Sequence, residues 1–383
     1  MSSRRKFLKK SIIIPSIMIL PRHVLGGKGY TSPSDKLNIA GVGVRKWGMG
    51  SGNLSSCETE NIVALCDVDH KLSAETFNKY PKAKVYKDFR VMLETQKDID
   101  AVIVATPDHT HAIISMMSIK LGKHVFCQKP LTHTVYEARV ITETARKYKV
   151  QTQMGNQGRS SEEIRRLKEW IDDGAIGPVR KVYAWTDRPV GGNPWDTFDA
   201  KAKPKEKPPI PKDLDWDLWL GPAKYRNYHP SYHPNSWRAW IDFGTGSMGD
   251  MGCHIIDPSF YALELGAPSE IQATSTHWIP EVESQTYPSA SIVRMKFPKR
   301  GNHPELELTW SDGRILPPIP EEFKDTDKFT LSGAMIIGDK GKIIHDSHGA
   351  SRLKIIPKEK MLSYKQPPKV IPRINGDWRE GGH

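Results

Sequence analysis

The sequence predicts an α/β protein of two units: a doubly wound parallel sheet, then an α/β domain with a largely antiparallel open sheet. Three observations carry this. Up to about Gln157, short β-branched apolar runs alternate with amphipathic segments. From Val179 onward, strand-like runs follow one another across turn residues, with no helix between most of them. A chain of 383 residues is long enough for two domains of ordinary size, each with its own core.

Residues 1–27 read as an address. A basic start precedes an apolar run from Ile12 to Leu20, broken by Pro15 and well short of the ~20 residues that span a bilayer. Within it, "SRRKFLK", with Arg4 and Arg5 paired, resembles a twin-arginine export signal and implies a periplasmic or otherwise exported protein. The leader has no terminal Cys for a lipid anchor. Its cations are Arg4, Arg5, Lys6, Lys9, Lys10 and Arg22, so removing it takes the formal charge from +12 to about +6. That balance gives little support to a nucleic-acid partner. The four cysteines lack CxxC spacing, which predicts neither a disulfide framework nor a structural zinc.

Within the first domain, 34–157, the runs "LNIAGVGV", "NIVALCDV", "DIDAVIVATP" and "KHVFCQKP" are expected as buried parallel strands. "HKLSAETFNKY", "DFRVMLETQ", "HTHAIISMMSIKLGK" and "VYEARVITETARKYK" are the helices between them. The second domain, 158–383, opens with the helix "SEEIRRLKEWIDDG". Its strands are "VRKVYAWTD", "EIQATSTHW", "SASIVRMKF", "PELELTWSDG", "AMIIGDKGKIIHD" and "RLKIIPK". The Trp- and Pro-rich insert from about Pro189 to Trp237 reads as a surface-binding loop.

Gly41 and Gly43 follow the first strand as a phosphate-binding turn requires, with Arg45 and Lys46 where a third glycine should fall. Asp67 ends the next strand, where a carboxylate takes the ribose hydroxyls and repels a 2′-phosphate. Strand, turn, helix, strand and terminal acid together indicate a Rossmann domain. Asp67 favours NAD, while Arg45 and Lys46 leave NADP open; either cation is expected beside the pyrophosphate.

Two further stretches, "ATPDHTHAIISMMSIKLGKHVFCQKPLTHTVYEA" and "GSMGDMGCHIIDPSFYALELGAPSEI", resemble the TP-x-x-x-H segment, the E-K-P motif and the D-x-x-x-H helix of the Gfo/Idh/MocA oxidoreductases. The resemblance runs from Asn38 to about Pro357. It implies a Rossmann domain, an α/β domain with an open antiparallel sheet, and hydride transfer between a nicotinamide and a sugar or polyol. Carried over, Lys129 is the motif lysine, with Gln128 in place of its glutamate, and Asp250 and His254 are the acid and histidine of the helix. Thr106, Pro107, His111, Gln128, Lys129 and Asn156 are implied cofactor contacts.

The chemistry points the same way. Oxidising a carbinol needs a base for the hydroxyl proton and a cation for the developing alkoxide; His254 suits the first and Lys129 the second. Asp250 lies four residues before His254, on one helix face, where it can orient the imidazole or bind a substrate hydroxyl. Asp250, Cys253, His254 and Asp257 are too crowded on two turns to converge on one metal. Asp187, Arg188, Trp195, Trp237, Arg238 and Trp240 are candidate sugar contacts, the aromatics for stacking and the charges for hydroxyls.

An exported nicotinamide enzyme is expected to hold its cofactor tightly. It could oxidise a carbohydrate, or act as a redox-neutral glycoside hydrolase by oxidation, elimination, hydration and reduction. A non-catalytic sugar-binding protein is the third reading. A small carbohydrate is the expected partner and a homo-oligomer the expected assembly. The C-terminus "VIPRINGDWREGGH" lacks the helical return of the family, so the chain reads as a short variant or a fragment.

Overall fold

The computed structural model describes residues 32, 35–46, 48–189, 204–276, 285–323 and 328–374. The leader 1–27 and Trp195 lie outside the described residues. The first domain has strands β1 (Asn38–Val42), β2 (Asn61–Cys66), β3 (Lys84–Tyr86), β4 (Ala101–Val104), β5 (His124–Gln128) and β6 (Thr152–Gly155). They form one parallel sheet in the order 3-2-1-4-5-6. Between them run α1 (Met49–Ser55), α2 (His70–Lys79), α3 (Phe89–Thr95), α4 (Asp108–Lys120) and α5 (Val135–Tyr148).

Local chemistry sets these boundaries. Asp69 accepts from Leu72 N to start α2, a Thr134–Glu137 capping box starts α5, and Gly122, at φ 75°, ends the turn after α4. The strand runs are continuously apolar because both faces are covered. Ala40, Val42, Ala64, Cys66, Val102 and Val104 pack in one buried layer, and Ile39, Leu65 and Ile103 in the other. Full burial of such side chains contributes about 1.5–3 kcal/mol each for the larger aliphatics. The strand order reverses between β1 and β4, which opens a crevice at their C-terminal ends.

In the second domain α6 (Glu162–Asp172) leads into β7 (Val179–Thr186), and α7 (Trp216–Leu220) lies in the insert. A π-helical turn (Met248–Gly252), α8 (Cys253–Ile255) and α9 (Asp257–Ala262) follow. Then come β8 (Glu270–Ser275), β9 (Ser291–Phe297), β10 (Leu306–Ser311), β11 (Ser332–Gly338), β12 (Gly341–Asp346), β13 (Lys354–Ile356) and α10 (Lys358–Ser363). The seven-stranded sheet has the order 13-12-11-7-10-9-8. Only β7 and β10 pair in parallel. All four cysteines are free, and no described helix is long and apolar enough to cross a membrane.

The described part of the insert corrects the surface-loop expectation. Trp216, Trp219, Tyr232, Trp237, Trp240 and Phe243 are buried together in a core of their own. This unit docks on the first domain through Asp215 N to Val68 O (2.9 Å), His70 N to Asp213 O (3.2 Å) and a buried His233–Asp69 pair (2.9 Å). His109 adds Nε2 to the Trp219 carbonyl, 3.0 Å. The insert is therefore a strap across the crevice: its tryptophans pay for its order by packing on each other and leave little aromatic face to solvent.

Candidate active site

The crevice holds a cavity of about 400 Å³ lined from the β1 turn to α8, including Gly43, Arg45, Asp67, Thr106, Pro107, Gln128, Lys129, Arg188, Trp237, Arg238, Asp250 and His254. At one end Gly43 sits at φ 80°, and a Cβ there would meet the Ala105 carbonyl at 2.7 Å. A Cβ on Gly50 would come within 2.0 Å of the Gly43 carbonyl. Gly50 thus takes the third-glycine position of the fingerprint, displaced down the chain, and brings α1 tight against the turn. Asp67 accepts Val44 N (2.8 Å) and Asp69 N (3.0 Å), which aim its carboxylate along the cavity wall; burial pushes its pKa up. Glycines that close the turn and an acid at the end of β2 fit a dinucleotide.

The two added cations separate. Arg45 lines the cavity, but its guanidinium bonds Asn235 Oδ1 (2.6 Å) and the Pro234 carbonyl (3.3 Å) of the strap. Lys46 points away to Glu75 and does not line the cavity, against the expectation of a pyrophosphate contact for it.

At the other end, Met251 and Ile255 pack on Ala184, Trp310 and Ala334 of the second sheet. This anchors the helical segment and turns Asp250 and His254 toward the cavity. Lys129 Nζ donates to Asp250 Oδ1 (2.6 Å) and to the Asp250 carbonyl (2.8 Å). Arg188 Nη1 donates to Asp250 Oδ2, and Arg238 Nε lies 3.7 Å from Oδ1. Burial alone would raise the Asp250 carboxyl, but Lys129, Arg238 and Arg188 outweigh it and hold it far below the ordinary carboxylate range. Gln128 does not touch the Lys129 ammonium: its amide donates to Asn53 Oδ1, and Asp250 supplies the countercharge.

His254 is buried, and its orienting partner is Asn156 rather than Asp250. Asn156 Nδ2 donates to the Cys253 carbonyl at 2.7 Å, so its Oδ1 faces His254 Nδ1 at 3.0 Å and must accept. Nδ1 therefore carries the proton and Nε2 the lone pair. Burial first, then Lys129 and His348, push the His254 pKa well below the ordinary histidine value, so the ring is a neutral base. Its face stacks on His348 at 3.9 Å, a cavity residue between β12 and β13 that sequence reasoning missed.

Other expected contacts are placed differently. Asn156 does not line the cavity but holds the imidazole. His111 is buried in α4 with Nδ1 2.7 Å from the Pro130 carbonyl and Nε2 2.8 Å from the Thr106 carbonyl. Two acceptors require two protons, so His111 is an imidazolium that ties two cavity-wall loops and makes no cavity contact. Trp240 is core, its Nε1 donating to the Ser231 carbonyl at 2.9 Å. Asp187 accepts from Ser332 Oγ at 3.2 Å outside the cavity. Trp237 does line the cavity, with its ring covered by Arg238 at 4.1 Å.

Residues 37–156 match the model "Oxidoreductase family, NAD-binding Rossmann fold", and 160–280 its "C-terminal alpha/beta domain". Levoglucosan dehydrogenase of Pseudarthrobacter phenanthrenivorans is 25% identical over 57% of this chain and 46% of its own length. D-glucoside 3-dehydrogenase of Escherichia coli is 30% identical over 56% of this chain and 50% of its own. The chain thus spans about half the length of these curated relatives. An inositol dehydrogenase homologue from Azotobacter vinelandii, solved with NADH and myo-inositol, shares the fold at TM-score 0.55 and 17% identity, covering 84% of this chain and 75% of that one.

Proposed function

Because this chain belongs to the Gfo/Idh/MocA oxidoreductase family, we propose that it is an NAD-dependent dehydrogenase of a carbohydrate or polyol hydroxyl, exported through the leader of residues 1–27 with its cofactor retained. The observation that carries the reading is the neutral, Nδ1-protonated His254 at the cavity wall next to Lys129. Bound NAD+ would supply the hydride acceptor. His254 Nε2 takes the hydroxyl proton as the carbinol becomes a carbonyl, so two electrons and one hydrogen leave with the hydride and the second hydrogen stays on the imidazole. Lys129 uses two of its three donors on Asp250 and keeps the third for the substrate oxygen, where positive charge favours the developing alkoxide. Asp250 fixes that ammonium in place. Asn156 sets the tautomer, and the strap of residues 204–243 covers the crevice and limits exchange of the cofactor with solvent.

Protein purified without added nucleotide is expected to carry NAD(H), detected by absorbance and mass spectrometry after denaturation, and to reduce it on addition of a sugar or polyol. Failure to carry or bind NAD(H) refutes the reading. Aglycone release from aryl glycosides without net reduced cofactor would move the assignment to the redox-neutral hydrolase. Export is checked by fractionating cells that express the chain with Arg4 and Arg5 intact or both changed to Lys; unchanged location refutes it.

A further inference from the structure

The geometry points to an anionic sugar as the substrate, a hexuronate whose carboxylate is gripped by Arg238. This rests on the dehydrogenase reading of the cavity and narrows its substrate class. Arg238 lines the cavity, its guanidinium carbon lies 4.1 Å from the Trp237 ring centroid, and its side chain is 26% exposed. Its nearest carboxylate oxygen, Asp250 Oδ1, is 3.7 Å from Nε, beyond hydrogen-bond range. A guanidinium has five N–H donors, and none of those on Arg238 reaches an acceptor among the described residues.

The neighbouring charges leave that fork unsatisfied. Asp250 is already engaged on Oδ1 by Lys129 and on Oδ2 by Arg188. Asp108, the other carboxylate at this end, is buried and accepts the Thr245 hydroxyl at 2.7 Å. At the far end Asp67 is held by backbone amides, and Asp88 pairs with Arg90. Arg45, the arginine of the cofactor turn, is spent on the strap. The arginine is also held firmly: a Cβ on Gly244 would sit 2.5 Å from Arg238 Cα, so the two backbone segments are in close contact.

A planar fork packed against an aromatic ring and without a hydrogen bond to a protein carboxylate matches a carboxylate in two parallel bonds, better than it matches scattered neutral hydroxyls. Lys129 Nζ and Arg238 Nε lie 2.6 and 3.7 Å from the same Asp250 Oδ1, so the two cations flank one carboxylate and can reach different oxygens of one sugar. The pyrophosphate of a dinucleotide is an anion too, and Arg238 is near enough to Arg45 of the glycine turn for its charge to lower that arginine's pKa, after burial, so the titration is made with NADH already bound.

The test is calorimetric titration of the whole protein, saturated with NADH, with D-glucuronate against D-glucose and D-galacturonate against D-galactose. One uronate at least is expected to bind about 10- to 100-fold tighter than its neutral parent, the range of a charge-assisted pair. Arg238→Met, which keeps the stem, should bring that ratio to within about threefold, and Arg238→Lys, which keeps charge without the fork, should restore part of it. Uronates binding no tighter than their parents would overturn the proposal. So would a loss of NADH affinity in Arg238→Met with the ratio intact, which would give the arginine to the dinucleotide. Tight uronate binding without NADH formation from NAD+ would leave the anion site standing and sink the dehydrogenase reading instead.

Discussion

Replacing Gly50 by Ala tests the displaced fingerprint directly. The added methyl would sit 2.0 Å from the Gly43 carbonyl oxygen, 3.0 Å from its carbon and 3.2 Å from Ala105 Cβ. Ordinary contacts between heavy atoms need about 3.5 Å, so α1 and the turn must separate by about 1.5 Å. The first contact is backbone on backbone, so no rotamer relieves it. Overpacking of this kind costs about 1–3 kcal/mol of stability. Displacing the turn should raise the Kd for NADH at least tenfold, since about 1 Å of misplacement can cost two orders of magnitude in a binding or reacting geometry. Gly52, two residues along the same helix, is the control: nothing lies within 4 Å of where its methyl would sit, so Gly52→Ala should gain up to about 1 kcal/mol from helix propensity and leave NADH binding alone. Fluorescence titration with NADH and thermal melts of the two variants decide it. Equal NADH affinity in Gly50→Ala and Gly52→Ala would refute the assignment of Gly50 as the third glycine.

Asn156→Leu should cut turnover about 10- to 100-fold with NADH affinity nearly unchanged, because it frees the His254 tautomer without touching the cavity; an unchanged rate would remove Asn156 from the base assembly. The acid limb of kcat/KM is expected well below pH 6.5, since the base must be unprotonated and burial, Lys129 and His348 lower its pKa; an acid limb at or above 6.5 counts against His254. Asp250→Asn removes the countercharge from Lys129 and Arg188 inside a buried cluster and should cost about 3–5 kcal/mol in a denaturant melt. For His111, burial opposes the charge, but Cys127, Asp108 and the Pro130 carbonyl more than offset it and push the pKa up to about 9. A folded value above the unfolded one stabilises fully below about pH 6.5 and is lost as pH rises through 9, a contribution of roughly 3 kcal/mol. Stability measured from pH 6 to 10 should fall accordingly, and less steeply in His111→Gln.

The parallel sheet was legible because continuous apolar runs report burial on both faces wherever they stand. β3 was not: Lys84–Tyr86 is a short edge strand with exposed Lys84 and Val85, so no apolar run marks it. The insert was misread for the opposite reason. Its Trp, Tyr, His and Pro content suits a binding loop as well as a small core, and composition does not say whether aromatic faces meet a ligand or one another. Contacts such as Asp215 with Val68, Asp213 with His70 and His233 with Asp69 bring the insert onto the first domain, and they span more than a hundred residues of chain.

The same distinction runs through the site. Lys129, Asp250 and His254 could be found from sequence because each sits in a local pattern: a lysine before proline at a strand end, an acid and a histidine four apart. Asn156 reads from sequence as a cofactor contact and its hold on His254 does not, since His254 arrives from the second domain and the direction of the Asn156 amide is fixed by the Cys253 carbonyl. His348 carried no signal beyond "HDSHGA" after a strand; its ring reaches His254 because the β12–β13 connection folds back over α8, with His348 at φ 43° and Gly349 at φ 75°. The residues proposed to supply reacting groups are thus local and readable, while those that set the tautomer and cover the ring, Asn156 and His348, meet it from elsewhere in the chain. The tautomer of His254 is a property of that second group, and a variant series confined to the motif residues would leave it untested.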